Sequence, residues 1–358
     1  EGAILLRNLI DRAAKAERFI FLEYFILAEG KLWDELEKIL CAKAREGVEV
    51  KIIFDDFGNI KRFSGETIDR LREVGVEVFI FNPVHEYVNR LHFNYRDHRK
   101  IACIDGDVAY TGGVNIADEY ANIIERFGYW KDSGVCLEGE GAWGLTASFI
   151  RMCVNLGGVM HNEHDYYRPH TPVKSEGFCQ PFTDGPQNNP DNPAEDVFLQ
   201  MISGARRFLY ITTPYFIPDE SLMRALCIAG DGGVDVRLML PGKPDHWYAD
   251  CVAESYFGEL IKHGVKVYRH TPGFLHGKSI MVDREAAFVG SANMDYRSFE
   301  LDYECGVMVY SAPMIESLLE DMDMIVDHSR LVTKEEWAKR SVLRRVFEPL
   351  LRLFAIWM

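Results

Sequence analysis

An α/β fold of two similar lobes, each a mixed β-sheet flanked by helices, is predicted by three observations. Strands and helices alternate in the same order twice, one polar pattern recurs at a fixed spacing, and a turn-forming stretch separates the two copies. The first lobe runs through strand-like RFIFLEYFIL (18–27), helical KLWDELEKILCAKAREG (31–47), strand-like VEVKIIFDDFG (48–58), helical ETIDRLREVG (66–75) and strand-like VEVFIFNP (76–83). The second repeats that order with RFLYITTPYFI (207–217), SLMRALCIAGDGG (221–233), VDVRLMLPG (234–242), a helix near Tyr248 to His263, and VKVYRHT (265–271). Strands separated by helices of this length imply a mixed or parallel sheet covered on its faces.

The stretch CQPFTDGPQNNPDNPAED, Cys179 to Asp196, is rich in Pro, Asn, Asp and Gly and is expected to break both helix and strand. It places the lobe boundary near Gly177, giving 1–176, 177–330 and a C-terminal segment 331–358. In that last segment KRSVLRRVFEPLLRLFAIWM reads as a basic amphipathic helix kinked at Pro349. Arg340, Arg344 and Arg352 fall on one side with Glu348, opposite Leu343, Val346, Phe347, Leu350, Leu351 and Phe354. Such a helix either docks on the second lobe or lies on an anionic membrane. HNEHDYYRPH, His161 to His170, matches no zinc spacing and reads as a polar connecting loop.

The chain has 358 residues, enough for two ordinary domains, and 47% hydrophobic content, enough for two cores. A net charge of −15 argues against broad nucleic-acid binding, which needs a basic face. Eight scattered cysteines without a CxxC pair read as reduced core thiols in a cytosolic setting. No apolar run reaches the roughly 20 residues of a membrane span, and no signal peptide opens the chain. Starting at Glu1 inside a helical pattern, it reads as a piece of a longer protein.

The recurring pattern is HRKIACIDG from His98 and HGKSIMVDR from His276, each followed by a glycine turn ending in asparagine, GGVN and GSAN. His98/His276, Lys100/Lys278, Asp105/Asp283, Gly112/Gly290 and Asn115/Asn293 are all 178 positions apart. Residues two apart on a strand share a face, so each His and Lys point at one neighbour. Histidine can serve as nucleophile or as general acid and base, and lysine supplies positive charge for anionic oxygens. Asparagine and turn amides, among them those of Gly113 and Ser291, add neutral donors that suit a phosphoryl group. Two such sets facing each other at the lobe interface make one phosphate site with two histidines, one to attack and one to protonate the leaving group. Asp105 and Asp283, beside the next turns, are expected to brace lysine and loop.

HxKxxxxD followed by GGxN or GSxN, present twice, resembles the phospholipase D superfamily. NYRDHRKIACIDG, GGVNIADEY, TPYFIPDESL and FLHGKSIMVDREAAFVGSANMDYRSFELDYE are similar to bacterial-type cardiolipin synthases, with Ala117 where the family more often has glycine. The resemblance spans Ala14 to Asp327. It implies catalytic His98, Lys100, Asp105, His276, Lys278 and Asp283, with Asn115 and Asn293 on the phosphate. It also supports acidic residues orienting the histidines, which we assign as Asp132 to His98 and Glu304 to His276. Glu23, Tyr24 and Tyr215, at the ends of corresponding strands, are expected to line the substrate site.

The implied activity is phosphatidyl transfer between two phosphatidylglycerol molecules through a phosphohistidine on His98, with His276 as acid and neither metal nor cofactor. The implied partner is anionic phospholipid at the cytoplasmic face of a membrane, with an N-terminal membrane segment upstream. Alternatives are hydrolysis of phospholipid or of nucleic acid by the same chemistry, or a silent lipid-binding scaffold. The acidic charge disfavours the nuclease, the flanking sequences the hydrolase, and the intact motifs the scaffold.

Overall fold

A computed structural model describes residues 1–84, 94–167, 177–340 and 351–352. The first sheet has six strands in the spatial order Glu77–Phe81, Glu49–Asp55, Phe19–Tyr24, Lys100–Ile104, Val108–Gly112 and Gly134–Glu138. The second repeats this path through Lys266–His270, Asp235–Pro241, Phe208–Thr212, Ser279–Val282, Ala286–Gly290 and Asp302–Tyr310, with Ser329–Leu331 added at its outer edge. In both, the first three strands of the path pair parallel and the motif strand runs antiparallel to its neighbour, Leu22 opposite Ala102 and Ile211 opposite Ile280.

Side chains alternate as the strand period requires. Ile20 and Leu22 pack against helices Gly2–Ala13, Lys31–Arg45 and Gly65–Glu73, while Phe19 and Phe21 enter a core shared by both lobes. Leu209 and Ile211 likewise pack under helices Pro193–Gly204, Glu220–Asp231 and Trp247–Lys262, while Tyr210 joins the shared core. That shared core is completed by helices Ala142–Asn155 and Pro313–Asp327, which bury Phe149 and Met322.

Two short parallel pairings stitch the lobes together beside the motifs. Arg96–Asp97, just before His98, pairs with the start of Asp302–Tyr310, and Gly273–Leu275, just before His276, pairs with Tyr129–Lys131. The His98 amide donates to the Tyr303 carbonyl at 3.0 Å and the His276 amide to the Lys131 carbonyl at 2.7 Å.

Three expectations are corrected. The segment expected to be a strand breaker opens in the strand Phe178–Asp184, which pairs antiparallel with Asp302–Tyr310 along its whole length before the Asn/Pro-rich turn begins. Leu331 ends a strand of the second sheet, and Lys334–Ala338 is a short helix. Residues 341–350, with Pro349, and 353–358 lie outside the described residues, as do 168–170 of the histidine-containing loop. Leu351 packs on the second lobe's core and Arg352 lies 3.9 Å over the Tyr256 ring. Two of the eight cysteines expected in cores, Cys136 and Cys179, are exposed.

Candidate active site

The two motif histidines line one cavity of about 220 Å³, together with Phe25, Asn115, Tyr120, Trp130, Tyr215 and Asp245. Each histidine is oriented by a carboxylate from the opposite lobe. His98 Nδ1 lies 2.8 Å from Glu304 Oε1, and His276 Nδ1 lies 2.7 Å from Asp132 Oδ2. This corrects the pairing expected from sequence, Asp132 with His98 and Glu304 with His276. The cause is the parallel stitching, which sets the residue before each acid against the opposite histidine's own amide.

Electrostatics differ between the halves. Burial and then the neighbouring Lys278 push His276 down to about 4, with Lys278 Nζ 2.9 Å from both ring nitrogens. Burial, followed by Lys100 and Lys278, drives His98 well below the usual histidine range. Burial lowers Lys278 to about 7 and Lys100 to about 8. Glu304, fully buried, is pushed up to about 7 by desolvation. Burial also raises Asp132, but His276, Lys278 and the Ser133 amide overcome it and hold that carboxyl below its ordinary value.

The lysines curl over their own histidines: Lys278 Nζ donates to the His276 carbonyl at 2.6 Å, and Lys100 Nζ to that of His98. Asn115 Oδ1 accepts from the Ile26 amide at 3.0 Å while Nδ2 donates to Tyr120 Oη at 2.8 Å, leaving the phenol's own proton for the cavity. Asn293 is buried, and its Oδ1 has no hydrogen-bond partner among the described residues. Gly113 must be glycine, since a Cβ would stand 2.2 Å from Asp132 Oδ1 and 3.0 Å from the His276 carbonyl.

Other expected site residues lie elsewhere. Asp105 and Asp283 sit in left-handed turns, φ 57° and 53°, away from the cavity. Asp105 accepts the amides of Glu17, Arg18 and Phe19, and Asp283 those of Arg206, Arg207 and Phe208, tying each hairpin turn to the chain entering the neighbouring strand. They brace the loop and not the lysine. Tyr24 is buried in the first lobe's outer core, and Glu23 faces the opposite side of its strand, 2.5 Å from Arg99, so neither lines the cavity. The turn amides expected on the phosphate are engaged elsewhere, Gly113's donating to the Ser133 carbonyl at 2.9 Å and Ser291's to the Cys305 carbonyl at 2.8 Å, while Ser291 Oγ donates to Glu304 and braces that carboxyl. Tyr215 does line the cavity, with its hydroxyl donating to Asp245 at 2.6 Å.

Sequence reasoning missed Tyr120, Trp130, Asp245 and the Arg62–Glu119–Arg126 cluster, which also reach the cavity. Tyr120 carried a signal, standing five residues after Asn115 where the second copy has Ser298. His98, Asp302 and Glu304 offer atoms within 4.8 Å of one another, a spacing that suits a metal ion. That cluster is already matched by cations, however, with Arg297 3.4 Å from Asp302 and both motif lysines lowering the His98 proton affinity.

The family profile described as "Cardiolipin synthase, PLD-like domain" matches residues 6–123 and 198–326, once in each lobe. A cardiolipin synthase of Halalkalibacterium halodurans is 37% identical over 99% of this chain and 70% of its own length, and one of Clostridium perfringens is 37% identical over 98% and 74%. An uncharacterized protein of Streptococcus mutans is 38% identical over 99% and 76%. Among solved structures, the phosphatidylserine synthase of Haemophilus influenzae superposes with a TM-score of 0.71 at 16% identity, covering 99% of this chain and 91% of that one, a likeness of fold.

Proposed function

This chain belongs to the cardiolipin synthase family with phospholipase D-like domains, and from that premise we propose that it joins two phosphatidylglycerol molecules into cardiolipin and releases glycerol. The observation that carries the reading is the pair of histidines facing one cavity, each with Nδ1 held by the other lobe's carboxyl, so that Nε2 is the nitrogen assigned to the chemistry. His98 Nε2 attacks phosphorus, the bond to the glycerol oxygen breaks, and His276 gives that oxygen a proton. The second lipid's hydroxyl then passes its proton to His276 as its oxygen bonds to phosphorus, and the phosphorus–nitrogen bond breaks. Lys100 and Lys278 hold the non-bridging oxygens with Asn293 and the Asn115-anchored Tyr120, so neither metal nor cofactor takes part.

The unequal carboxyls support this division of roles. Asp132, kept ionised, stabilises an imidazolium at His276, as a general acid requires, while Glu304 at about 7 leaves His98 a neutral nucleophile. In the free site burial and then the lysines suppress both imidazoliums, and an arriving phosphodiester anion offsets the lysines.

The lipid is reached, in this reading, through a rim of exposed apolar residues at the cavity mouth. Phe57 and Ile60 precede the lining Arg62, Ile123 and Ile124 lie between the lining Glu119 and Arg126, and Trp247 and Tyr248 follow the lining His246. A net charge of −15 opposes an anionic surface, so apolar insertion carries adhesion. No helix among the described residues is long and apolar enough to cross a membrane. We place the site at the cytoplasmic face, where free cysteines stay reduced. Trp247→Asp with Ile124→Asp is expected to abolish sedimentation with phosphatidylglycerol vesicles, and undiminished sedimentation refutes the rim.

Labelled phosphatidylglycerol tests the activity itself. Cardiolipin with stoichiometric glycerol is expected, and phosphatidic acid as the only lipid product overturns transfer in favour of hydrolysis.

A further inference from the structure

Asp245 sits in the turn between the strand Asp235–Pro241 and the helix Trp247–Lys262 and lines the histidine cavity. Its two oxygens are treated differently. Oδ2 accepts the Tyr215 hydroxyl at 2.6 Å and has His246 Nε2 at 3.6 Å. Oδ1 is buried and has no hydrogen-bond donor among the described residues. Buried polar atoms are almost always hydrogen-bonded, and one left over on a carboxyl already fixed by a tyrosine is an acceptor held ready for a ligand's donor. Asp245 lines the same cavity as His98 and His276, and its charge is among those that raise the proton affinity of Lys278.

We infer that Asp245, fixed by Tyr215, is the acceptor for a free hydroxyl of the glycerol headgroup, and that this one subsite serves both the departing glycerol and the incoming lipid. The inference rests on the transfer reading above. The ligand must bring an O–H or N–H donor, because phosphate oxygens have none to offer. Arg62 and Arg126, which share Glu119 between them, line the cavity, and their two positive charges favour a neutral hydroxyl over an ammonium headgroup. One subsite suffices for both steps. The leaving group and the acceptor are the same polyol, and the same imidazole, His276, donates a proton to the first and takes one from the second. Holding the acceptor there places its reacting hydroxyl against phosphorus ahead of water, the competing acceptor.

The test uses the full chain, phosphatidyl-p-nitrophenol as donor and phosphatidylglycerol as acceptor. Nitrophenol needs no hydroxyl subsite and little protonation, so its burst reports formation of the phosphohistidine alone. The ratio of cardiolipin to phosphatidic acid then reports capture by lipid against capture by water. Asp245→Asn, which presents a donor where the acceptor was, is expected to keep the burst and lower that ratio at least about tenfold. Tyr215→Phe, which frees the carboxyl without removing it, should shift it less in the same direction. An unchanged ratio in Asp245→Asn with the burst intact overturns the subsite. If Asp245→Asn loses the burst, Tyr215→Phe decides, and an unchanged ratio there overturns it equally. Phosphatidylethanolamine as acceptor should be indifferent to Asp245→Asn, and selective loss of ethanolamine transfer contradicts the hydroxyl assignment. Wild-type protein that makes no cardiolipin would refute the transfer reading itself, a result distinct from either of these.

Discussion

The His276 half of the site and the His98 half share a motif, a strand register and a lysine, yet they are chemically unlike. His276 stands among the rings of Tyr120, Trp130 and Phe274, at 5.3, 5.3 and 5.7 Å, with an ionised Asp132 behind it. His98 has Phe25 at 5.0 Å and a Glu304 poised near neutrality, shared with Ser291. The repeated residues place the imidazoles, and burial with the repeated lysines lowers the proton affinity of both, while the carboxyls behind them, outside the repeat, differ in charge. A duplicated fold thereby yields two different imidazole environments from one pattern, because each half borrows its carboxyl from the other.

The largest way to break the symmetry is at the histidines. His98→Ala and His276→Ala should each lower cardiolipin formation by about a thousandfold or more, since each removes a distinct step, with folding preserved. Steady-state assay with a circular dichroism melt checks both, and a variant losing less than tenfold would remove that histidine from the mechanism.

The braces should separate next. Asp132→Asn removes a charge that stabilises an imidazolium and is expected to lower kcat about a thousandfold, whereas Glu304→Gln, replacing a carboxyl near neutrality, should lower it only about tenfold. Equal losses would show that the two carboxyls act alike.

Stability against pH gives the same comparison a sign. His276 titrates near 4 when folded and near 6.5 when unfolded, so below pH 6.5 the unfolded chain binds the extra proton and stability falls as pH drops towards 4. Glu304 titrates near 7 folded and 4.5 unfolded, so the folded chain holds the extra proton and stability falls as pH rises from 4.5 to 7. Between pH 4.5 and 6.5, Glu304→Gln should therefore steepen the rise of Tm with pH and His276→Gln should flatten it. The same slope change in both variants would remove the distinction.

The smallest difference is expected at the hairpin turns, where the halves are truly equivalent. Asp105→Asn and Asp283→Asn each disturb three backbone hydrogen bonds and should cost about 1–3 kcal/mol of stability in urea denaturation, with kcat within about threefold of the parent. Loss of activity without loss of stability in either would return these carboxyls to the chemistry.

Much of this was legible in the chain because the repeat is local. Strand alternation and helix periodicity gave both sheets, and the fixed spacing singled out His98, Lys100, His276 and Lys278. The crossed carboxyls were not legible, since nothing in YWKDS or LDYEC says which lobe's histidine the strand will run beside. That depends on pairing across the interface between residues more than a hundred positions apart. Glu23 and Tyr24 were misplaced for a related reason. They end the expected strand, but its neighbour Lys100–Ile104 covers that end, and Arg99 draws the carboxyl of Glu23 to the far face. Asp245 lay in a turn whose sequence, PGKPDHW, carries no periodicity to point its side chains.

The unequal halves are tested most directly by trapping the covalent intermediate. His276→Ala protein incubated with phosphatidyl-p-nitrophenol, quenched in base and mapped by peptide mass spectrometry, should carry the phosphatidyl group on His98, while His98→Ala protein should carry none. An adduct on His276 in the His98→Ala protein, with His98 unmodified in the other variant, would contradict the assignment of nucleophile and acid.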